Sequence, residues 1–184
     1  MKLAVFDLDG TLFDTKDVNY HAYKEALSEF GFSIDYEYYC RFCNGRHYTQ
    51  FLPQIVGDNK DILEKVHKDK KALYTKYLDK AIINEPLFSI IRLIKPKCKI
   101  ALVTTASYKN CMDILNAFKV SDLFDLILTH EDVKKTKPNP EGFIKAMEYF
   151  GVEGKETVIF EDSDVGLQAA KISGAHYYQT FGFN

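Results

Sequence analysis

Four short apolar runs, each followed at once by polar residues, constrain the fold of this chain more than any other feature. They span residues 3–6, 100–103, 123–128 (interrupted by Asp125) and 157–160. Short apolar runs of this kind are typical of strands that are buried on both faces of a parallel sheet. Tyr177 and Tyr178 are expected to begin one more strand, at the edge of that sheet.

Helical patterns lie between these runs. Ser107 has the position of an N-cap residue before apolar side chains at helical spacing, and Pro140 has the position of a first-turn proline. Gly151 and Gly174 are placed to end two helices, the second of which runs from Val165. Strands that alternate with helices predict an α/β fold with a doubly wound parallel sheet.

The stretch from residue 15 to residue 84 contains helical patterns and no run that resembles a buried strand. The simplest organisation is an α/β core domain formed by residues 1–14 and 85–184. Residues 15–84 then form an all-helical domain inserted after the first strand. In this organisation the sheet is expected to resume near Pro86.

Composition excludes several classes of partner. Lys and Arg number 24, Asp and Glu number 26, and the formal net charge of −2 gives no electrostatic reason to bind nucleic acid or a membrane surface. No run approaches the roughly 20 apolar residues of a membrane helix, and the opening residues lack the apolar core of a secretory signal. The four irregularly spaced cysteines favour a reducing compartment. We therefore expect a cytoplasmic protein that is a monomer or a homodimer.

Cys40 and Cys43 have the spacing of a zinc or redox pair. No second cysteine pair or histidine pair at ligand spacing accompanies them in the sequence. We therefore predict neither a zinc site nor a redox site at these two residues.

The first predicted strand leads directly into Asp7 and Asp9, followed by Gly10. Ligands of open parallel sheets bind beyond the carboxyl ends of the strands, and residues two apart in an extended segment point to the same side. Both carboxylates can therefore approach one bound group, while Gly10 allows a sharp turn. The alternative is an ordinary Asp-Gly turn with two solvated carboxylates.

Polar residues also follow the other predicted strands. Thr104 and Thr105 follow the second strand, and Lys137 lies in a loop next to Pro138. An acidic group beginning at Glu161 and Asp162 follows the fourth strand. Hydroxyl and ammonium groups suit a phosphate, and clustered carboxylates suit Mg²⁺. Taken singly, each could instead be an N-cap residue or a surface side chain.

Together these motifs resemble those of the haloacid dehalogenase superfamily phosphatases. The matching segments are, in chain order, Asp7-Leu8-Asp9-Gly10-Thr11, Thr104, Lys137-Pro138 and Glu161-Asp162-Ser163. The helical insertion resembles the cap domain of the subfamily that includes phosphoglycolate phosphatase and β-phosphoglucomutase. The resemblance implies Mg²⁺-dependent phosphoryl transfer through an aspartyl-phosphate, with a small phosphorylated metabolite as substrate.

The residues themselves support the same chemistry. Asp7 is placed to attack phosphorus, and Asp9 to protonate the leaving oxygen and later deprotonate water. Thr104 and Lys137 are expected to bind the oxygens of the transferring group. The predicted metal ligands are Asp7, Asp9 through its backbone carbonyl, Glu161 and Asp162. The predicted substrate contacts are Gly10, Thr11, Thr105, Arg46 and His21.

Two of these predictions rest on the helical insertion alone. Arg46 could bind a second anionic group of the substrate or lie in solvent. His21, which follows Tyr20, could contact the substrate or pack among aromatic side chains.

A phosphatase and a phosphomutase would both use Asp7 and Asp9, and no residue of the sequence decides between them. A phosphorylatable signalling module that resembles a response-regulator receiver also uses Asp, Thr, Lys and Mg²⁺. In such a module the phosphorylated Asp follows a later strand and no helical insertion interrupts the fold, so this alternative is disfavoured.

Overall fold

The computed structural model describes residues 1–181 and residue 183 of the chain. The chain divides into two compact units, one formed by Met1–Asp14 with Ile82–Asn184 and the other by Thr15–Ala81. No helix within the described residues is both long enough and apolar enough to cross a membrane.

The first unit is built around a parallel sheet. The strands of this unit are β1 (Leu3–Phe6), β2 (Phe13–Asp14), β3 (Ile82–Ile83), β4 (Lys99–Val103), β5 (Leu126–Leu128), β6 (Thr157–Glu161) and β7 (His176–Gln179). Five of them form one sheet in the order β5-β4-β1-β6-β7, with every neighbouring pair parallel. Strand β1 is therefore central, and all four of its residues are buried, as its apolar run predicts.

Helices cover the sheet. They are α5 (Glu85–Ile94), α6 (Tyr108–Ala117), α7 (Glu141–Phe150) and α8 (Asp164–Ser173). The aromatic ring of Phe143 on α7 packs in a buried cluster with Leu3 and Val5 of β1 and Ile159 of β6. This arrangement confirms the predicted α/β fold with a doubly wound parallel sheet.

Two local predictions are wrong. The predicted strand over residues 123–128 begins only at Leu126, because Ser121–Leu123 forms a short 3₁₀ turn. Pro86, where the sheet was expected to resume, lies instead in the first turn of α5, where its missing N–H group removes no hydrogen bond. The sheet resumes at β4.

The antiparallel pairing of β2 with β3 places residues 82–83 in the first unit. Phe13 pairs with Ile83, and Asp14 pairs with Ile82. The predicted boundary at residue 85 therefore differs by three residues from the boundary at Ile82. A two-residue strand is too short to leave a recognisable alternation in the sequence.

The second unit contains α1 (Lys16–Ser28), α2 (Tyr36–Phe42), α3 (Tyr48–Val56), α4 (Lys60–Leu73) and a 3₁₀ helix over Tyr74–Lys80. Its core is rich in aromatic side chains and includes Tyr23, Tyr39 and Phe51. The buried ammonium of Lys70 lies 5.2 Å from the ring centroids of Tyr23 and Tyr74. The position of a cation over two aromatic faces explains how this unit accommodates a buried lysine.

Candidate active site

The carboxyl ends of the three adjacent strands β4, β1 and β6 bring the predicted core residues together. Asp7 follows β1, Thr104 follows β4, and Glu161 is the last residue of β6. The Asp7 amide donates to the carbonyl of Phe160 at 3.1 Å, and the Thr104 amide donates to the carbonyl of Leu128 at 3.0 Å. These ladder bonds hold the backbone of Asp7 and of Thr104 rigidly at the sheet edge where ligands of this fold class bind.

Lys137 reaches this edge from the loop before α7. Its Nζ donates to Asp7 Oδ1 and to Glu161 Oε1, both at 2.5 Å, and to the backbone carbonyl of Val103 at 3.1 Å. The side chains of these three charged residues are almost inaccessible to solvent, at 7% for Lys137, 9% for Asp7 and 1% for Glu161. All three N–H groups of the ammonium thus have an acceptor, as a buried cation requires.

Burial and charge act against each other on the pKa values of this group. Desolvation alone would lower the pKa of Lys137, but the negative charges of Asp7 and Glu161 outweigh it and raise the pKa above its ordinary value. Burial raises the pKa of Asp7 well above its ordinary value, and the charge of Lys137 opposes that effect. Lys137 is therefore a permanent positive charge beside Asp7.

Glu161 accepts hydrogen bonds through both of its carboxylate oxygens. Its Oε1 accepts from Lys137, and its Oε2 accepts from both the amide and the hydroxyl of Ser163 at 3.0 Å. Its carboxylate also leaves no room for a Cβ at Gly166, which would lie 1.8 Å from Oε1. Both oxygens of Glu161 thus accept hydrogen bonds, so this predicted metal ligand also holds Lys137 in place.

Asp162 lies beside Gly10 and Thr11. The Thr11 hydroxyl donates to Asp162 Oδ1 at 2.8 Å, and a Cβ on Gly10 would lie 2.2 Å from Asp162 Oδ2. Gly10 has a φ of +88°, so this tight approach needs glycine on two counts. Thr11 was predicted to contact the substrate, but its side chain is fully buried and orients Asp162 instead.

The carboxylates offer a set of ligands for a divalent cation. One oxygen each from Asp7, Glu161 and Asp162 lies within 4.8 Å of the other two. Burial, followed by the charge of Glu161, raises the pKa of Asp162 to about 6, although the Thr11 hydrogen bond lowers it. Closely spaced acids with hard oxygen donors fit Mg²⁺, which relieves their mutual repulsion. The residues present therefore fit the expected ion.

Asp9 is half-buried and lies on the turn that follows Asp7. The negative charge of Asp9 acts on the thiol of Cys111 on α6. Burial, and then the charges of Asp9, Asp7 and Glu131, raise the pKa of this thiol to about 12. The charges of Asp9 and Asp7 thus both lie near enough to act on Cys111. The high pKa leaves Cys111 a protonated, unreactive thiol.

Side chains cap the amino end of α6 and the loop before it. The Thr104 hydroxyl accepts from the Ala106 amide at 3.0 Å, and Ser107 accepts from the Asn110 amide at 3.4 Å. Glu131 accepts from the Tyr108 amide at 2.9 Å. Side-chain oxygens thus accept from three N–H groups at or just before the start of α6. Thr105 is exposed on the same loop.

Two predicted substrate contacts, Arg46 and His21, lie in the helical unit. Arg46 is exposed on the loop between α2 and α3. The ring of His21 stacks on Tyr77 at 5.4 Å and lies edge-on to Tyr20 at 5.0 Å. Burial, assisted by the charge of Lys80, lowers the pKa of His21. His21 therefore packs among aromatic rings.

Comparison with known proteins identifies the family. Residues 4–179 match the model of the haloacid dehalogenase-like hydrolases, so the chain belongs to this family of enzymes. The sequence is 29% identical over 181 residues to a phosphorylated carbohydrates phosphatase of Thermotoga maritima, covering 95% of this chain and 82% of that protein. It is 30% identical over 186 residues to a phosphoglycolate phosphatase of Aquifex aeolicus, with the same coverage of both chains.

The fold of the chain resembles solved structures of the same family. A predicted phosphoglycolate phosphatase from Haemophilus somnus superposes with a TM-score of 0.89 at 21% identity. The match covers 100% of this chain and 87% of that one. The family resemblance inferred from the sequence motifs is thus confirmed.

Proposed function

We propose that this chain is a Mg²⁺-dependent phosphatase that hydrolyses the phosphate monoester of a small metabolite through an aspartyl-phosphate at Asp7. The observation that carries the proposal is the buried group of Asp7, Lys137 and Glu161 at the carboxyl ends of three adjacent strands. The names of relatives support a phosphorylated carbohydrate or phosphoglycolate as the first substrates to test.

In the first step, a carboxylate oxygen of Asp7 forms a bond to phosphorus while the bond between phosphorus and the ester oxygen breaks. Asp9 gives its proton to the departing oxygen, so that the alcohol leaves as a neutral molecule. Lys137 keeps Asp7 fixed in one orientation and provides positive charge next to the transferring group.

In the second step, a water molecule attacks the phosphorus of the aspartyl-phosphate. Asp9, now ionised, accepts a proton from that water, and the bond between phosphorus and Asp7 breaks. Inorganic phosphate leaves, and both carboxyl groups return to their starting states. Covalent catalysis of this type divides one difficult displacement into two easier ones.

Asp7, Asp162 and the backbone carbonyl of Asp9 would hold the magnesium ion in this proposal, with Glu161 assisting. When bound, Mg²⁺ supplies positive charge that offsets the charge of the phosphate. Thr11 and Gly10 contribute to the proposed metal site indirectly, because they fix the position of the Asp162 carboxylate.

The test is phosphate release from a panel of small phosphate esters, with Mg²⁺ or with a chelator, for the wild type and for Asp7→Asn. We expect Mg²⁺-dependent turnover of at least one ester and a loss on the order of 10³-fold or more in the variant. Asp7→Asn removes one charge from a buried acidic cluster, so the variant should fold at least as stably as the wild type. Equal turnover of both proteins would exclude the proposal.

The same panel addresses the phosphomutase alternative. A mutase returns the phosphoryl group to a sugar, so sugar phosphates would isomerise without stoichiometric release of phosphate. Phosphate release that equals substrate loss supports the phosphatase, and isomerisation in its place would exclude it.

A further inference from the structure

Of Asp7, Glu161 and Lys137, Lys137 is the residue that lies in a loop and not at the end of a strand. This loop runs from the 3₁₀ turn His130–Asp132 to the start of α7. Asp7 and Glu161 are fixed by ladder bonds of the sheet, but the position of Lys137 depends on whatever holds this loop. A displacement of about 1 Å at a catalytic group can cost on the order of 10²-fold in rate, so the anchor of this loop matters for the reaction.

The carboxylate of Glu141, in the first turn of α7, binds the loop at two consecutive amides. Its Oε1 accepts from the Lys134 amide and its Oε2 from the Lys135 amide, each at 2.9 Å. The ammonium of Lys145, one turn further along α7, lies 3.0 Å from Oε1. A carboxylate that bridges two successive N–H groups restrains both rotation and translation of that segment.

Further contacts tie the same helix to both ends of the loop. Asn139 Oδ1 accepts from the Glu141 amide at 3.1 Å, and Lys145 Nζ donates to the carbonyl of Asp132 at 2.6 Å. A Cβ on Gly142 would lie 2.7 Å from Val103 Cγ1, so the first turn of α7 lies directly against the end of β4. The carbonyl of Val103 at this point is itself an acceptor for Lys137.

We propose that Glu141 is a positioning residue that holds the loop at residues 134–135 and thereby keeps the ammonium of Lys137 between Asp7 and Glu161. For its effect on turnover, this inference rests on the proposed phosphatase function. The pKa of Glu141 is lowered to about 2, first by the Lys134 amide and then by Lys145, which agrees with a carboxylate that is held tightly by its donors.

A plain role in helix stability is the competing explanation. An acid in the first turn favours a helix through the helix dipole, and Glu141 occupies such a position. In that case replacement of Glu141 would leave the position of the loop and of Lys137 unchanged, and it would lower only the stability of the protein. The two explanations therefore differ in what happens at residues 134–137 and in the kcat of the enzyme.

The experiment compares Glu141→Gln with Glu148→Gln, which makes the same chemical change at an exposed acid on the same helix. Amide hydrogen exchange of the segment 133–140, measured without Mg²⁺ or substrate, reports on the loop. We expect at least tenfold faster exchange at Lys134 and Lys135 in Glu141→Gln and no change in Glu148→Gln. We also expect kcat to fall by about 10- to 100-fold with KM within threefold of the wild type, because the ammonium acts most strongly in the transition state.

A third variant, Glu141→Asp, keeps the inference testable if Glu141→Gln folds poorly. Glu141→Asp keeps the negative charge of the helix end but draws the carboxylate back from the loop, so it should show faster exchange and reduced kcat with a near-normal thermal midpoint. Loss of kcat only in proportion to loss of folded protein would overturn the inference.

The outcomes separate this inference from the proposed function. If the wild type hydrolyses an ester and Glu141→Gln keeps kcat within twofold, the positioning role is refuted and the phosphatase stands. If the wild type hydrolyses nothing, the proposed function fails, and the exchange data alone decide the role of Glu141. Unchanged exchange at Lys134 and Lys135 would then refute it.

Discussion

In the α/β unit, three almost inaccessible charged side chains, Asp7, Lys137 and Glu161, lie against one another at the ends of adjacent strands. In the helical unit, the buried charge of Lys70 lies over tyrosine rings, and Arg46 is exposed. Buried charges are costly unless they pair with one another or with a ligand, and groups of this kind are enriched at functional sites. Aromatic rings stabilise a cation in both units, since Lys137 also lies 5.2 Å from the ring centroid of Phe143. What points to chemistry in the α/β unit is the pair of buried carboxylates bound to Lys137.

Replacement of Lys137 by Met tests the first half of this comparison and has the largest expected effect. Turnover should fall by about 10²- to 10³-fold, because positive charge at the transferring group is lost. The variant should also lose roughly 3–5 kcal/mol of stability at pH 7, since Asp7 and Glu161 are left buried without their cation. Phosphate release and urea unfolding measure the two effects.

The pH dependence sharpens this prediction. Burial already raises the folded-state pKa of Asp7, and loss of the opposing charge of Lys137 raises it further above the unfolded value, so protonation at lower pH relieves the repulsion. The stability deficit of the variant should therefore shrink between pH 7 and pH 5. Lys134→Met, an exposed lysine of the same loop, is the matched control and should change neither quantity. A Lys137→Met variant as stable as the wild type at pH 7 would contradict the account.

Replacement of Gly10 by Ala, together with replacement of Gly31 by Ala, compares the two units directly. Gly10 and Gly31 have similar φ values of +88° and +77°, but only at Gly10 does a Cβ meet a neighbour, namely Asp162. Both substitutions should cost about 1–3 kcal/mol through backbone strain. Only Gly10→Ala should also reduce turnover, by about tenfold, because Asp162 must move. Similar activity of the two variants would separate Asp162 from the reaction.

His67, in the helical unit, gives the smallest expected effect. Its ring stacks on Tyr48 at 3.8 Å, and burial, assisted by the charges of Lys71 and Lys70, lowers its pKa to about 4. The unfolded chain therefore binds more protons between pH 4 and pH 6.5, so stability is complete above pH 6.5 and declines as the pH falls towards 4.

Thermal midpoints measured from pH 7 to pH 4.5 test this prediction. The decline should be shallower in His67→Gln than in the wild type. His176→Gln, at an exposed histidine, should keep the wild-type slope. Equal slopes in all three proteins would show that His67 titrates normally.

The sequence predicts the sheet well because buried parallel strands are continuous apolar runs, as β1 and β4 show. It does not predict β2 and β3, whose two residues each are too few for a pattern. Helix α5, which begins at Glu85, was missed because its apolar residues could equally belong to a strand.

In the candidate site, too, the sequence predicts some features and not others. Motif spacing predicted Asp7, Asp9 and Asp162, which come after strands, and Lys137, which lies in a loop next to Pro138. The hydrogen bond from the Thr11 hydroxyl to Asp162 joins residues 151 positions apart, so the sequence could not show it. The bond from Ser163 to Glu161 is local, but it depends on side-chain orientation, which the sequence does not give. Ser163 has one local signal, its position as N-cap of α8, and Glu141 has another, its place in the first turn of α7.

The central claim is that Asp7 carries the phosphoryl group and Asp9 moves the protons. Asp9→Asn should lower turnover of unactivated esters by about 10²- to 10⁴-fold while leaving phosphate binding nearly intact. Acetyl phosphate, whose leaving group needs no proton, should still phosphorylate Asp7 in this variant in the presence of Mg²⁺. The phosphorylated enzyme should persist because water is no longer activated.

The most direct measurement is therefore mass spectrometry of Asp9→Asn after exposure to acetyl phosphate and Mg²⁺. The account predicts one added phosphoryl group, located on the peptide that contains Asp7 and absent when Asp7 is also replaced by Asn. An unlabelled protein, a label on another residue, or full ester turnover by Asp9→Asn would contradict it.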